Sequence, residues 1–171
     1  MHSENELGYQ TRSDGFGILY GEIAGALIER CGRNGMGIVR KAVAAYGKKK
    51  GKRLREQYMG SGVRTDLHNL MAAEDGCWKD PRTLKTTVRD TPEAQLWEIY
   101  SCPLEKNWRD RGREEAGRLY CEEYLHALMD GYGEGAGQAN VSNSKTCRRD
   151  DRCVMAMYCR TANQNETQKG T

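Results

Sequence analysis

Residues 113–131, REEAGRLYCEEYLHALMDG, decide the fold. Ala116, Leu119, Tyr120, Tyr124, Ala127 and Leu128 recur at intervals of three and four, which puts them on one stripe of an α-helix. Gly131 stands where such a helix ends, so the pattern predicts a helix over 113–130. The same segment carries Cys121, Glu122, Glu123 and His126, the last one of only three histidines. At about 100° per residue, Cys121 and His126 are separated by roughly 140° and do not face each other. Glu122 and Glu123, four and three residues before His126, share its face. The local candidate is therefore a Glu–His unit near a helix end, with Cys121 turned elsewhere. A free cysteine in that setting is most often a small buried hydrophobe.

Upstream, FGILYGEIAGALIERC (16–31) puts Leu19, Ile23, Ala26 and Leu27 on one stripe, and Gly32 stands at the C-cap position. Val39, Ala42, Val43 and Tyr46 predict a second helix over 35–47. The basic GKKKGKRLREQYMGSG begins a third, short helix after Gly51 that stops near Gly60. From residue 83 the period changes. TLKTTV and QLWEIYSC read as strands joined through RDTPEA, and Pro103 opens a helix that ends at Gly112. NVSNSK and CVMAMYC read as further strands around an RRDD turn, with Cys153, Met155, Met157 and Cys159 on one face. Helices first and strands later, without βαβ alternation, predict an α+β fold: N-terminal helices and a long C-terminal helix packed on an antiparallel β-sheet.

At 171 residues and 19.3 kDa the chain is one domain on length alone. The domain is expected over 16–160, with a flexible N-terminus (1–15) and a flexible tail (161–171) that lack apolar periodicity. Charged residues make up 30% and mean hydropathy is −0.85, yet net charge is only +3 and three Trp argue for a core. No apolar run approaches the ~20 residues that span a bilayer, and the start lacks the order of a signal peptide. A cytoplasmic protein is expected, its seven cysteines mostly thiols. The basic run Lys48–Arg55 has no stacking platform beside it and reads as a solvated helix face rather than a nucleic-acid site. No close C-x2-C pair suggests a metal, and neither metal nor cofactor is expected.

The order of motifs resembles the L-2-amino-thiazoline-4-carboxylic acid hydrolase family. The matching pieces are ILYGEIAGALIERCG, IVRKAVAAYGKKKGKRLRE, CPLEKNWRDRG, GRLYCEEYLHALMDGY and RRDDRCVMAMY. Most specific are Cys102, Pro103, Trp108 and Gly112, then Tyr120 with Cys121, then Asp150, Asp151 and Cys153. The resemblance implies a hydrolase that opens a small cyclic amidine by water to a carbamoyl-cysteine. It implies Cys121 as nucleophile or site thiol, with Glu122, Glu123 and His126 as acid–base groups. Cys102, Cys153, Tyr120, Arg118 and Trp108 are then the substrate-binding residues. Cys31, Cys77, Cys147 and Cys159 fall outside the motifs and read as structural or incidental. The partner is a small molecule, with no nucleic acid and no membrane, and a homo-oligomer is compatible with this reading. The rival reading is a binding or sensory domain on the same scaffold, its cysteines holding a ligand or metal.

Overall fold

A computed structural model describes residues 4–133 and 152–158. Helix α1 (Glu4–Ser61) is broken once, at Gly32, whose φ of 53° and ψ of −129° no helix contains. That left-handed φ suits glycine, because a Cβ there would crowd the following carbonyl. The break makes two arms, 4–31 and 33–61. After them come α2 (Leu67–Ala73), a 3-10 turn (Cys77–Lys79), β1 (Leu84–Asp90) and β2 (Ala94–Ser101). Then follow α3 (Pro103–Arg109), α4 (Glu114–Tyr132) and β3 (Cys153–Tyr158).

The two arms flank α4 in opposite senses. Along the first, Glu29 pairs with Arg113, the Tyr20 hydroxyl donates to the Ala116 carbonyl, and Phe16 packs on Tyr120. Along the second, Arg40 meets Glu122 and Glu123, Tyr46 stacks on Tyr124, and Tyr58 meets Tyr132. The first arm thus runs against α4 and the second runs with it.

Approach of the second arm is closest at three glycines. A Cβ on Gly51 would lie 2.0 Å from the Leu128 carbonyl oxygen, and one on Gly131 would lie 2.0 Å from that of Lys48. Gly47 faces the Tyr124 carbonyl in the same way. Gly51 was expected to separate two helices, but the arm continues through it to Ser61. Its role is contact: backbone packed on backbone offsets the roughly 1 kcal/mol that a helical glycine costs. The helix also starts at Glu4 rather than at residue 16. Asp14 explains part of this extension, since it accepts hydrogen bonds from Arg82 and Asn107 and ties the first arm to later segments. The seven-residue α2 carries no full period to read, and its visible signal is Asp66, which caps it by accepting from the Asn69 N–H at 2.9 Å.

The sheet is antiparallel in the order β1-β2-β3. Register pairs Trp97 with Met155 and Ile99 with Cys153, so Trp97, Ile99, Cys153, Met155 and Met157 share one face. That face joins Leu119, Leu125 and Leu128 of α4 in a single core, with Trp78 packed on Trp97 at 5.6 Å. The fold is α+β, with α4 and the arms of α1 against the sheet. The strand expected over 140–145 lies outside the described residues. No described helix is long and apolar enough to cross a membrane.

The glycine contacts generate a paired test. Gly51→Ala should destabilise the protein by about 1–3 kcal/mol, the usual cost of overpacking. Gly37→Ala, with nothing within 4 Å of its added Cβ, should stabilise it by about 0.5–1 kcal/mol. Urea unfolding followed by circular dichroism measures both.

Candidate active site

Three thiols from separate segments converge beside the middle of α4. Cys77 opens the 3-10 turn, Cys102 precedes Pro103 at the start of α3, and Cys121 lies on α4. The sulfurs of Cys77 and Cys102 are 3.7 Å apart and share a hydrogen bond. Cys121 is near enough that charge on Cys102 raises its thiol pKa and its own charge raises that of Cys77.

The thiols differ in acidity. The contact with the Cys77 sulfur holds Cys102 below the usual thiol range, and the backbone N–H groups of Glu105 and Leu104 act in the same direction against its burial. Cys77 is raised well above that range, by the same hydrogen bond and by burial. Burial, chiefly, also pushes Cys121 well above it, with Cys102, Glu122 and Glu105 adding to the effect. Cys121 nevertheless exposes surface to solvent.

Tyrosines line the neighbourhood. Tyr120 stacks on Tyr124 at 4.9 Å and meets Tyr20 edge-on at 5.3 Å. Beyond them lies a buried polar group centred on Glu74, whose side chain is 1% exposed. Its Oε1 accepts from Lys50 Nζ at 2.5 Å and from the Tyr124 hydroxyl at 2.6 Å. Its Oε2 has no hydrogen-bond partner among the described residues. Burial alone would lower the Lys50 pKa, but Glu74 and Asp75 outweigh it and hold the ammonium above its ordinary value. Charge on Glu74 raises Cys77, Tyr120 and Tyr124 alike, so this group borders the thiols.

The residues singled out from sequence are distributed unevenly. The two glutamates facing His126 are engaged by arginines: Arg40 bonds Glu122 and Glu123, and Arg118 bonds Glu122 at 2.5 Å. His126 is half-buried on the same helix. Trp108 is 2% exposed, its indole N–H donating to the Gly17 carbonyl at 2.9 Å, and its ring fills the space a Cβ on Gly117 would need. It is therefore a core residue that anchors α3 to the first arm. Cys153 is disulfide-bonded and holds no thiol, while Cys31 is exposed beside the Gly32 break. Cys77, outside the motifs, is the cysteine in contact with Cys102. Sequence reasoning missed Cys77, Glu74 and Lys50. Lys50 was hidden inside a basic run, and Cys77 and Glu74 sit in a segment without period. Among the described residues, no three His, Cys, Asp or Glu side chains are placed to hold a metal ion.

A family model described as L-2-amino-thiazoline-4-carboxylic acid hydrolase matches residues 16–156. The chain belongs to that family. No curated protein matches it. The hydrolase-family match takes in both arms of α1, the thiol group and the Lys50–Glu74–Tyr124 group, and it ends within β3.

Glu74→Ala should leave Lys50 and the Tyr124 hydroxyl short of a buried partner. The expected loss is about 3–5 kcal/mol of stability, that of breaking a buried ion pair. Denaturant unfolding checks it, and a loss below about 1 kcal/mol would show the pair to be dispensable.

Proposed function

We propose that the protein is a hydrolase that opens a small cyclic amidine, of the 2-amino-thiazoline-4-carboxylate type, to a carbamoyl-cysteine product. The observation that carries this reading is the proximity of Cys77, Cys102 and the solvent-exposed Cys121 in a chain of this hydrolase family.

The carbon of a cyclic amidine is electrophilic, and a thiolate is the strongest nucleophile that protein side chains offer it. The thiolate bonds to that carbon as the C=N electron pair moves onto the ring nitrogen, which takes a proton from solvent. Collapse of the adduct breaks the ring C–N bond. The nitrogen leaves with a second proton as an amine, while the exocyclic nitrogen gives up a proton and forms a new C=N bond. Water then adds to the carbon and expels the thiolate, so one water is consumed and the thiol is restored.

Groups suited to the other tasks stand on the same stretch of α4. Glu122, Glu123 and His126 are the candidates for moving protons to and from water and the leaving nitrogen. Arg118 and Arg40, already engaged with these glutamates, are the candidates for receiving a substrate carboxylate. Tyr120, half-buried and stacked on Tyr124, is the aromatic candidate for lining the site of a planar ring.

Purified protein supplied with 2-amino-thiazoline-4-carboxylate should convert it to a single ring-opened carbamoyl-cysteine that carries the newly freed primary amine. Exchange of both Cys102 and Cys121 for Ser should lower kcat by several orders of magnitude, as removal of a nucleophile does. Cys31→Ser should leave kcat unchanged. If the double variant turns over as fast as the parent, thiol catalysis is ruled out.

A further inference from the structure

Cys77 and Cys102 are 25 residues apart in sequence, yet their sulfurs lie 3.7 Å from each other. From this contact we propose a modification site: a peroxide joins the two thiols in a reversible disulfide, which withdraws the Cys102 thiol. Formation of the bond stands on the contact, while its effect on turnover rests on the ring-opening reading.

The contact is built by the backbone. The Cys77 carbonyl accepts from the Asp80 N–H at 3.1 Å and from the Thr83 hydroxyl at 2.5 Å, which ties the 3-10 turn to the start of β1. The next residue, Leu84, pairs across the sheet with Ser101, the neighbour of Cys102. The two cysteines are thus the ends of a short circuit that runs through the turn and the β1–β2 ladder. Pro103 holds Cys102 in extended backbone (φ −129°, ψ 121°), since its ring disfavours the helical region for the residue before it. Trp108 then fixes α3 through its bond to the Gly17 carbonyl. A disulfide is about 2.05 Å long, so the sulfurs need to approach by roughly 1.7 Å, within reach of rotation about the two Cα–Cβ bonds.

The chemistry needs a two-electron oxidant, which the peroxide supplies. One sulfur attacks a peroxide oxygen, the O–O bond breaks, water leaves and the sulfur becomes a sulfenic acid. The second sulfur attacks the first, the S–O bond breaks, and hydroxide departs with the attacker's proton as a second water. Peroxide is thereby reduced to two waters, and two thiols are oxidised to one disulfide. A sulfenic acid without a partner thiol advances instead to the sulfinic acid, which thiols do not reverse. Cys77 and Cys102 are both half-buried, which suits an oxidant as small as hydrogen peroxide. Cys121, exposed on α4, is the competing thiol, and the test reads it directly.

The reduced full chain is treated with a few-fold excess of hydrogen peroxide, quenched with iodoacetamide, digested without reductant and read by peptide mass. Cys77 and Cys102 should appear in one cross-linked pair, two hydrogens lighter than the sum of its peptides, with Cys121 outside the bond. Turnover should fall in step with the yield of this pair and return with dithiothreitol. In Cys77→Ser the same treatment should carry Cys102 to sulfinic acid, so that dithiothreitol no longer restores turnover. Recovery of Cys77 and Cys102 as separate alkylated or over-oxidised peptides, or a bond from Cys102 to Cys121, overturns the proposal. Should Cys77→Ser fail to fold, the peptide map of the parent still decides. Failure of ring opening would show in the turnover of the reduced protein and failure of the redox pair in the peptide map, so the two readings fail separately.

Discussion

Close backbone contact between the second arm of α1 and α4, through Gly47, Gly51 and Gly131, is the constraint on which the rest of the molecule depends. With no side chain between them, the two helices meet at carbonyl distance, and side chains on either flank are carried past the contact to meet other segments. Lys50 reaches Glu74 and Asp75 beyond the helix pair, while Arg40 ties the arm to Glu122 and Glu123 of α4 itself. A wider gap would leave Lys50 short of the buried carboxylate, and an uncompensated buried charge is among the costliest faults a core can hold.

That contact also explains which parts of the fold could be read in advance. The stripe from Ala116 to Leu128 gave α4 because it faces a core along its whole length. The strands were visible for a related reason: β2 is central and buried, and its β-branched and aromatic residues contrast with the exposed positions of β1. Glycines were harder. Gly32, Gly47 and Gly51 look alike in sequence, yet the first breaks the helix by its positive φ and the others lie inside a continuous one. Local pattern cannot separate a glycine needed for its torsion from a glycine needed for its missing Cβ, because the second requirement comes from a partner helix far along the chain.

The candidate site was half visible for the same cause. Cys102 and Cys121 stand in motifs with distinctive neighbours, and both lie in the thiol group. Cys77, Glu74 and Lys50 carry no local mark. A lysine in a basic run is ordinarily solvated, and nothing in GKKKGK tells that one of its lysines turns inward to a buried carboxylate. Trp108, another distinctive motif residue, is held by packing, with its ring wedged against Gly117 and its N–H on Gly17.

The site draws Lys50, Glu74, Cys77, Cys102 and Cys121 from α1, the end of α2, the 3-10 turn, the start of α3 and α4, and apart from Glu74 and Cys77 its members are far apart in sequence. Each loop between them must close before the constellation exists, so its assembly belongs to the last, most non-local stage of folding. Partial structures that keep α4 and the arms of α1 would be helical and compact, yet would have their thiols scattered and more open to oxidation. Chemical competence in this chain is thus a property of the completed topology, and thiol reactivity reports on global order more sensitively than helix content does.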